Sequence, residues 1–183
     1  MPDPSSTSLD KSERVVAAKR VTFTSSRPFN QAVSSLNFEL NASKAGLNLM
    51  RLLVTATTRK ELVDGVNEMA DGRDFVLFNA SSYNWLNVYF GDEQKFPRTT
   101  TYTLGNPLLG KDMLRHDPDA ALYIPPKILI QETGAGGTRI VYDLPSSVIG
   151  QGIRSAELAS ALAELDTKLE LLVKRVLGVT ARL

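Results

Sequence analysis

Leu158, Leu162, Leu165, Leu169, Leu172 and Val176 recur at steps of four, three, four, three and four. No other pattern in this chain constrains the fold as much. The spacing predicts one long helix with a narrow apolar stripe. Ser155 can cap its start and Glu157 suits the positive end of the helix dipole. Lys174 and Arg175 suit the negative end, and Gly178 can terminate it. A stripe this narrow is buried in one of two ways. The helix lies across one face of a sheet, or it pairs with the same helix of a second copy.

The rest of the chain supplies a sheet. Within 14–24 (RVVAAKRVTFT), Val21 and Phe23 alternate with Thr22 and Thr24, the period of a half-buried strand. Ser26 reads as an N-cap with Pro28 in the first turn. Phe29, Ala32, Val33, Leu36 and Leu40 then mark the apolar face of a first helix. The dense apolar patch Leu47–Val54 is read as helical. Thr58 and Glu61 form a capping-box pattern ahead of a further helix that ends at Gly72. Strands are expected at Asp74–Phe78, Trp85–Phe90 and Arg98–Leu104, with Asn79–Asn84 as the hairpin loop between the first two. Ala120–Pro126 reads as extended, because a residue before proline is pushed out of the helical region. Lys127–Glu132 and Thr138–Tyr142 form a hairpin around Gly134–Gly137. The expected fold is therefore α+β. It has a mainly antiparallel sheet with helices packed on one face, the long C-terminal helix among them, in a helix-grip or TBP-like arrangement. One domain is expected over 14–178. A disordered tail is expected at 1–13 and a short tail at 179–183.

Composition removes several function classes. There is no cysteine, which excludes thiolate chemistry, disulfides and Cys-ligated metals. The only histidine is His116, so no paired-histidine metal motif can exist. Lys and Arg total 21 against 20 Asp and Glu, too even a balance for a field that draws nucleic acid or an anionic membrane. No apolar run approaches the ~20 residues that span a bilayer, and the N-terminus lacks a signal-peptide core. A cytoplasmic protein is expected, with no metal, no cofactor, no nucleic-acid partner and no membrane contact.

The most distinctive local motif lies between the third strand and the next helix. Leu104-Gly105-Asn106-Pro107 is followed by Gly110, Met113-Leu114 and Asp117-Pro118. Then come Ala121-Leu122, Ile124-Pro125, a strand ending at Glu132, and the Gly136–Tyr142 return. As a set these residues resemble the domain of unknown function 302 family. Val141–Ser147, and Trp85 after Phe75–Phe78, are similar to its fungal branch. The resemblance spans about Val21 to Val176 and is most specific from Leu104 to Ser147. It implies a compact α+β fold, an antiparallel sheet with packed helices, and homodimers. It implies no known reaction. Related chains often carry a histidine in the loop where this sequence has Ser81, Ser82, Tyr83 and Asn84.

Candidate site residues follow from the chemistry of each side chain. Asn106 is suited to cap the helix that Pro107 opens. The N–H groups at that start could also receive an anion or a carbonyl, with Lys111 adding charge. Gly105–Lys111 lacks the spacing of a phosphate-binding P-loop. Ser81, Ser82, Ser146 and Ser147 have no nucleophile elbow around them. Tyr83, Trp85, Tyr89, Tyr102, Tyr123 and Tyr142 lie on or beside expected strands, as core or as pocket walls. The functional expectation is a domain that binds a small apolar or amphipathic molecule between sheet and helix. Asn106, Gly105, Tyr83, Trp85, Tyr102 and Lys111 are its binding candidates. The alternatives are a cofactor-independent lyase, isomerase or hydrolase moving protons with His116, Asp112 or Tyr83, and a dimeric interaction module built on the leucine stripe.

Overall fold

The structure is a computed structural model and describes residues 9–152 and 155–179. Residues 1–8 of the expected N-terminal tail and residues 180–183 lie outside the described residues. The frame is a sheet of β1 (Arg20–Ser25), β2 (Val76–Ser82), β3 (Thr99–Gly105), β4 (Lys127–Glu132) and β5 (Thr138–Asp143). The spatial order is β1-β5-β4-β3-β2, and every neighbouring pair is antiparallel. The helices in chain order are α1 (Phe29–Glu39), α2 (Leu47–Thr55), α3 (Arg59–Ala70), α4 (Trp85–Phe90), α5 (Pro107–His116), α6 (Pro145–Val148) and α7 (Ala156–Val176), with a 3₁₀ turn at Pro118–Leu122.

Strand register explains which face is buried. Phe23, Ile140, Ile130 and Thr100 form one cross-strand row. Val21, Tyr142, Ile128 and Tyr102 form the next. Side chains alternate across a strand, so both rows point to one face. That face is the core, where Ile140, Ile130, Ile128, Tyr102 and Tyr142 are buried. The intervening row of Thr22, Val141, Leu129, Thr101 and Ser81 faces the other way. That second face is polar and braced by side chains. Arg20 Nε donates to Asp143 Oδ1 at 2.8 Å, Arg139 donates to Gln131 Oε1 at 3.1 Å, and Gln131 donates to Thr99 Oγ1 at 3.0 Å. An antiparallel sheet with one solvated face is the expected outcome of this alternation.

The long helix lies where the leucine stripe predicts. Ser155 Oγ accepts from Leu158 N at 3.1 Å and caps α7. All six stripe residues, with Val173, are buried in the chain's own core beside α1, α5 and α6. The stripe is thus consumed inside one copy, so it cannot also be a seam between copies. A smaller core sits at the β2 edge, where Ala45, Leu49, Val66 and Ala70 close around Val76. The Leu77 N–H donates to Leu40 O at 3.0 Å, and the Gly46 N–H donates to Leu77 O at 2.9 Å. These bonds tie the α1–α2 connection to the outer edge of β2.

Four local expectations need correction. Trp85–Phe90 is the helix α4, not a strand, and β2 instead runs on through Asn79–Ser82, the expected loop. A short apolar run does not distinguish strand from helix by itself. Here Asn87 decides it: its side chain accepts from Phe96 N at 2.7 Å and donates to Phe96 O at 3.1 Å, closing the excursion without a strand partner. Ala120–Leu122 belongs to the 3₁₀ turn rather than to an extended segment. The buried Asp117 carboxylate accepts from Asp119 N at 3.1 Å and from Gly150 N at 2.8 Å, which winds the turn and pins it to the α6–α7 connection. Ser26 does not cap α1, because Pro28 is the extended residue before the first turn. The Thr58 hydroxyl caps α3, but the Glu61 carboxylate accepts from Thr57 N rather than from the cap residue itself.

Two measurements check this packing. Leu169→Ala removes a side chain with 0% exposure and should lower unfolding stability by about 2–5 kcal/mol in urea titration. Leu47→Ala, at 85% exposure, should stay within about 0.5 kcal/mol. Equal losses would contradict the placement of α7. Burial, reinforced by the Glu170 and Asp166 carboxylates, pushes the Tyr142 phenol from 10.0 up to about 12. The fold therefore favours the neutral phenol. This contribution is complete below about pH 10, the ordinary tyrosine value, and is lost as pH rises from there through about 12. Tyr142→Phe should flatten the alkaline fall in stability over that window, followed by circular dichroism.

Candidate functional site

The β3–α5 junction forms as the sequence predicts. Asn106 is extended, with its Oδ1 accepting from Leu108 N at 2.9 Å, and Pro107 occupies the first helical turn. Capping uses the carbonyl oxygen of the Asn106 side chain and leaves its amide nitrogen available. Arg115 and His116 occupy the last turn, where the dipole favours cations.

Beside this junction is a cleft with apolar walls. Phe75, Phe78, Leu109, Met113, Ile124 and Leu165 line it, with Gly105, Asn106 and Gly110 along one side and Pro107, Pro125 and Pro126 completing the rim. Asn106 is the one lining residue with a polar side chain. Two of its lining residues are glycines packed too closely against the opposite wall to carry a side chain without displacement. A Cβ on Gly105 would lie 3.0 Å from Pro125 Cβ, and one on Gly110 would lie 3.1 Å from Ile124 Cγ2. Its cavity volume is about 30 Å³, more than the ~10–15 Å³ that admits one water by the same kind of measure. It has room for a small group or the tip of a larger molecule. Two wider recesses have mixed polar and apolar linings. A trough of about 320 Å³ lies on the open sheet face over Arg20, Arg139 and Asp143, and a recess of about 440 Å³ lies between Arg14, Asp117 and Asp119.

The candidate residues separate into distinct places. Gly105 and Asn106 line the cleft. Tyr102 is buried under the sheet, its hydroxyl donating to Asn37 Oδ1 at 3.2 Å, and burial holds its phenol above the ordinary value. Tyr83 and Trp85 are exposed at the far end of β3, since Tyr83 N bonds Thr99 O while Gly105 pairs with Val76. The six steps from Thr99 to Gly105 span roughly 20 Å at ~3.3 Å per residue. Lys111 is exposed and donates to Asp112 Oδ2 at 2.5 Å. That hydrogen bond holds the Asp112 carboxyl below the usual carboxylate range, with Arg115 and His116 adding to the effect. His116 is exposed, and it also contributes to lowering the Glu157 carboxyl, after the backbone and Ser155 hydrogen bonds to that group. His116, Asp112 and Tyr83 do not share one site. Among the described residues no group of three or more His, Asp or Glu could hold a metal ion, and no helix is long and apolar enough to cross a membrane.

The lining residues missed from sequence come from four separate segments: Phe75 and Phe78 from β2 and its approach, Leu109 and Met113 from α5, Ile124 to Pro126 before β4, and Leu165 from α7. The sequence signal available was the pair Gly105 and Gly110 flanking one helix start.

Comparison with known proteins agrees with the resemblance of the Gly-Asn-Pro segment. Residues 89–176 match the family described as Domain of unknown function DUF302. A crystal structure of the uncharacterized conserved protein DUF302 from Bacillus stearothermophilus superposes with a TM-score of 0.56 at 12% identity, covering 86% of this chain and 97% of that one. At that identity the likeness speaks for the fold. No curated protein matches the chain. The five-stranded antiparallel frame and the long terminal helix agree with that neighbour's fold, and residues 89–176, just under half of the chain, are similar to the DUF302 family.

Proposed function

We propose that this protein is a small-molecule-binding domain that receives the apolar tip of an amphipathic ligand in the cleft beside Gly105–Asn106–Pro107. The observation that carries this reading is the cleft wall. Two glycines line it where an added Cβ would press on Pro125 and Ile124, and the other walls include Phe75, Phe78, Met113, Ile124 and Leu165. Apolar walls favour an apolar group, at roughly 25 cal/mol per Å² removed from water. The Asn106 amide nitrogen offers one polar contact at the rim, suited to a hydroxyl or carbonyl oxygen. The small volume limits what enters to an alkyl end or a similarly slim group.

The proton-transfer alternative has less behind it. His116 is exposed, Asp112 is already engaged by Lys111, and Tyr83 lies at the opposite end of the hairpin. None of the clefts described above brings these three groups together.

Titration with short n-alcohols, followed by two-dimensional amide NMR, tests the binding reading. Shifts should concentrate on Gly105, Gly110, Met113 and Leu165. Gly110→Val should remove them by filling the cleft while the remaining spectrum is preserved. Asn106→Asp keeps the cap but replaces the amide donor, and should weaken binding by about 1 kcal/mol, roughly fivefold. Shifts that are absent, or that survive Gly110→Val unchanged, would refute the cleft as the site.

A further inference from the structure

Two exposed apolar faces flank the same strand edge. The first is on α2, whose sequence LNLMRLLVT has a wide apolar face beside a polar stripe of Asn48, Arg51 and Thr55, although Leu49 is its one fully buried residue. A wide apolar face on a helix is normally covered. Here Leu47 and Val54 are 85% and 82% exposed, and Met50 lies between them at 43%. The second face is on α4, where Trp85, Val88 and Tyr89 are 58%, 86% and 76% exposed. Between the two runs β2. Its outer edge is bonded at Leu77 by Leu40 and Gly46, but beyond that point no strand among the described residues lies outside Asn79–Ser82. An unpaired edge of this kind is a template for another strand.

The charges framing the two faces are opposite. Leu47, Arg51 and Val54 are spaced by four and three along α2, and the exposed Lys44 precedes the helix in the turn before Gly46. Trp85, Val88 and Tyr89 fall on one side of α4 at helical spacing, and the exposed Asp92 and Glu93 follow the helix beyond Gly91. All four charged residues are exposed, and none forms an ion pair among the described residues. Within one copy the two faces sit at opposite ends of the free strand segment, α2 by Leu77 and α4 after Ser82. Antiparallel pairing of that segment with itself about a two-fold axis reverses its direction. The α4 face of each copy then meets the α2 face of the other, apolar against apolar and acidic against basic. This arrangement is self-complementary and closed, as a two-fold interface requires.

We propose that a second copy of this chain docks edge to edge along Asn79–Ser82, with α4 of each copy seated on α2 of the other. The interface uses neither the leucine stripe of α7 nor the cleft beside Asn106. It therefore stands or falls independently of the ligand reading.

Sedimentation of the full chain from micromolar to millimolar concentration should show a mass of about twice the 20.0 kDa chain, weakening in high salt. Charge reversal on α2 (Lys44→Glu with Arg51→Glu) should place acid against acid and weaken association by roughly tenfold or more. Reversal after α4 (Asp92→Lys with Glu93→Lys) should do the same with base against base. An equimolar mixture of the two variants should recover the dimer, because both contacts are then complementary again. Amide exchange on the unmodified chain gives a readout that needs no variant: protection at Ala80–Ser82 should rise with protein concentration. A single-chain mass throughout, exchange at Ala80–Ser82 independent of concentration, or a dimer that both charge reversals leave intact overturns the proposal.

Discussion

Burial of the α7 leucine stripe against the β1-β5-β4-β3 face is the constraint on which the rest of the structure depends. The stripe needs an apolar floor as long as the helix. The rows Phe23–Ile140–Ile130 and Val21–Tyr142–Ile128–Tyr102 supply it only when four strands hold antiparallel register. Each fully buried leucine contributes on the order of 2 kcal/mol by area alone, so the helix and the sheet register stabilise one another. The other helices take what space remains. α1 and α5 lie beside α7, and α6 tucks against it, while α2 and α3 are left to build a second core at the β2 edge.

The same constraint creates the cleft. Leu165 belongs to the stripe and is also a cleft wall. α5 approaches α7 from a sharp β3–α5 turn, and the absence of side chains at Gly105 and Gly110 lets it pass Pro125 and Ile124 closely. The space left over is small because the surroundings are packed by the stripe itself. Packing therefore decides both the place and the size of the candidate site, with Asn106 supplying its polar rim.

Much of the fold was legible along the chain because it rests on periodicity. Leu158 to Val176 read as a helix, and Val21 with Phe23 as a half-buried strand. The capping residues Thr58, Asn106 and Ser155 each occupy the position their side chains suit. What failed was short and depended on a distant partner. Trp85–Phe90 became a helix through the bonds between Asn87 and Phe96, and Ala120–Leu122 became a turn through Asp117 reaching Gly150. The site was legible only at Gly105 and Asn106. Tyr83, Trp85 and Tyr102 read alike as aromatic neighbours of strands, yet the register buries Tyr102 and sends the other two to the far end of the hairpin.

The sequence by itself determined the class of the fold, the long helix and its stripe, and the strand-to-helix turn at Asn106 and Pro107. Each is encoded by neighbouring residues through spacing and local hydrogen bonding. Tertiary structure alone decided three things: that the stripe is spent within one copy, that the cleft is walled by four separate segments, and that apolar faces remain uncovered on α2 and α4. These depend on which surfaces meet, and a surface is assembled from residues far apart in the chain.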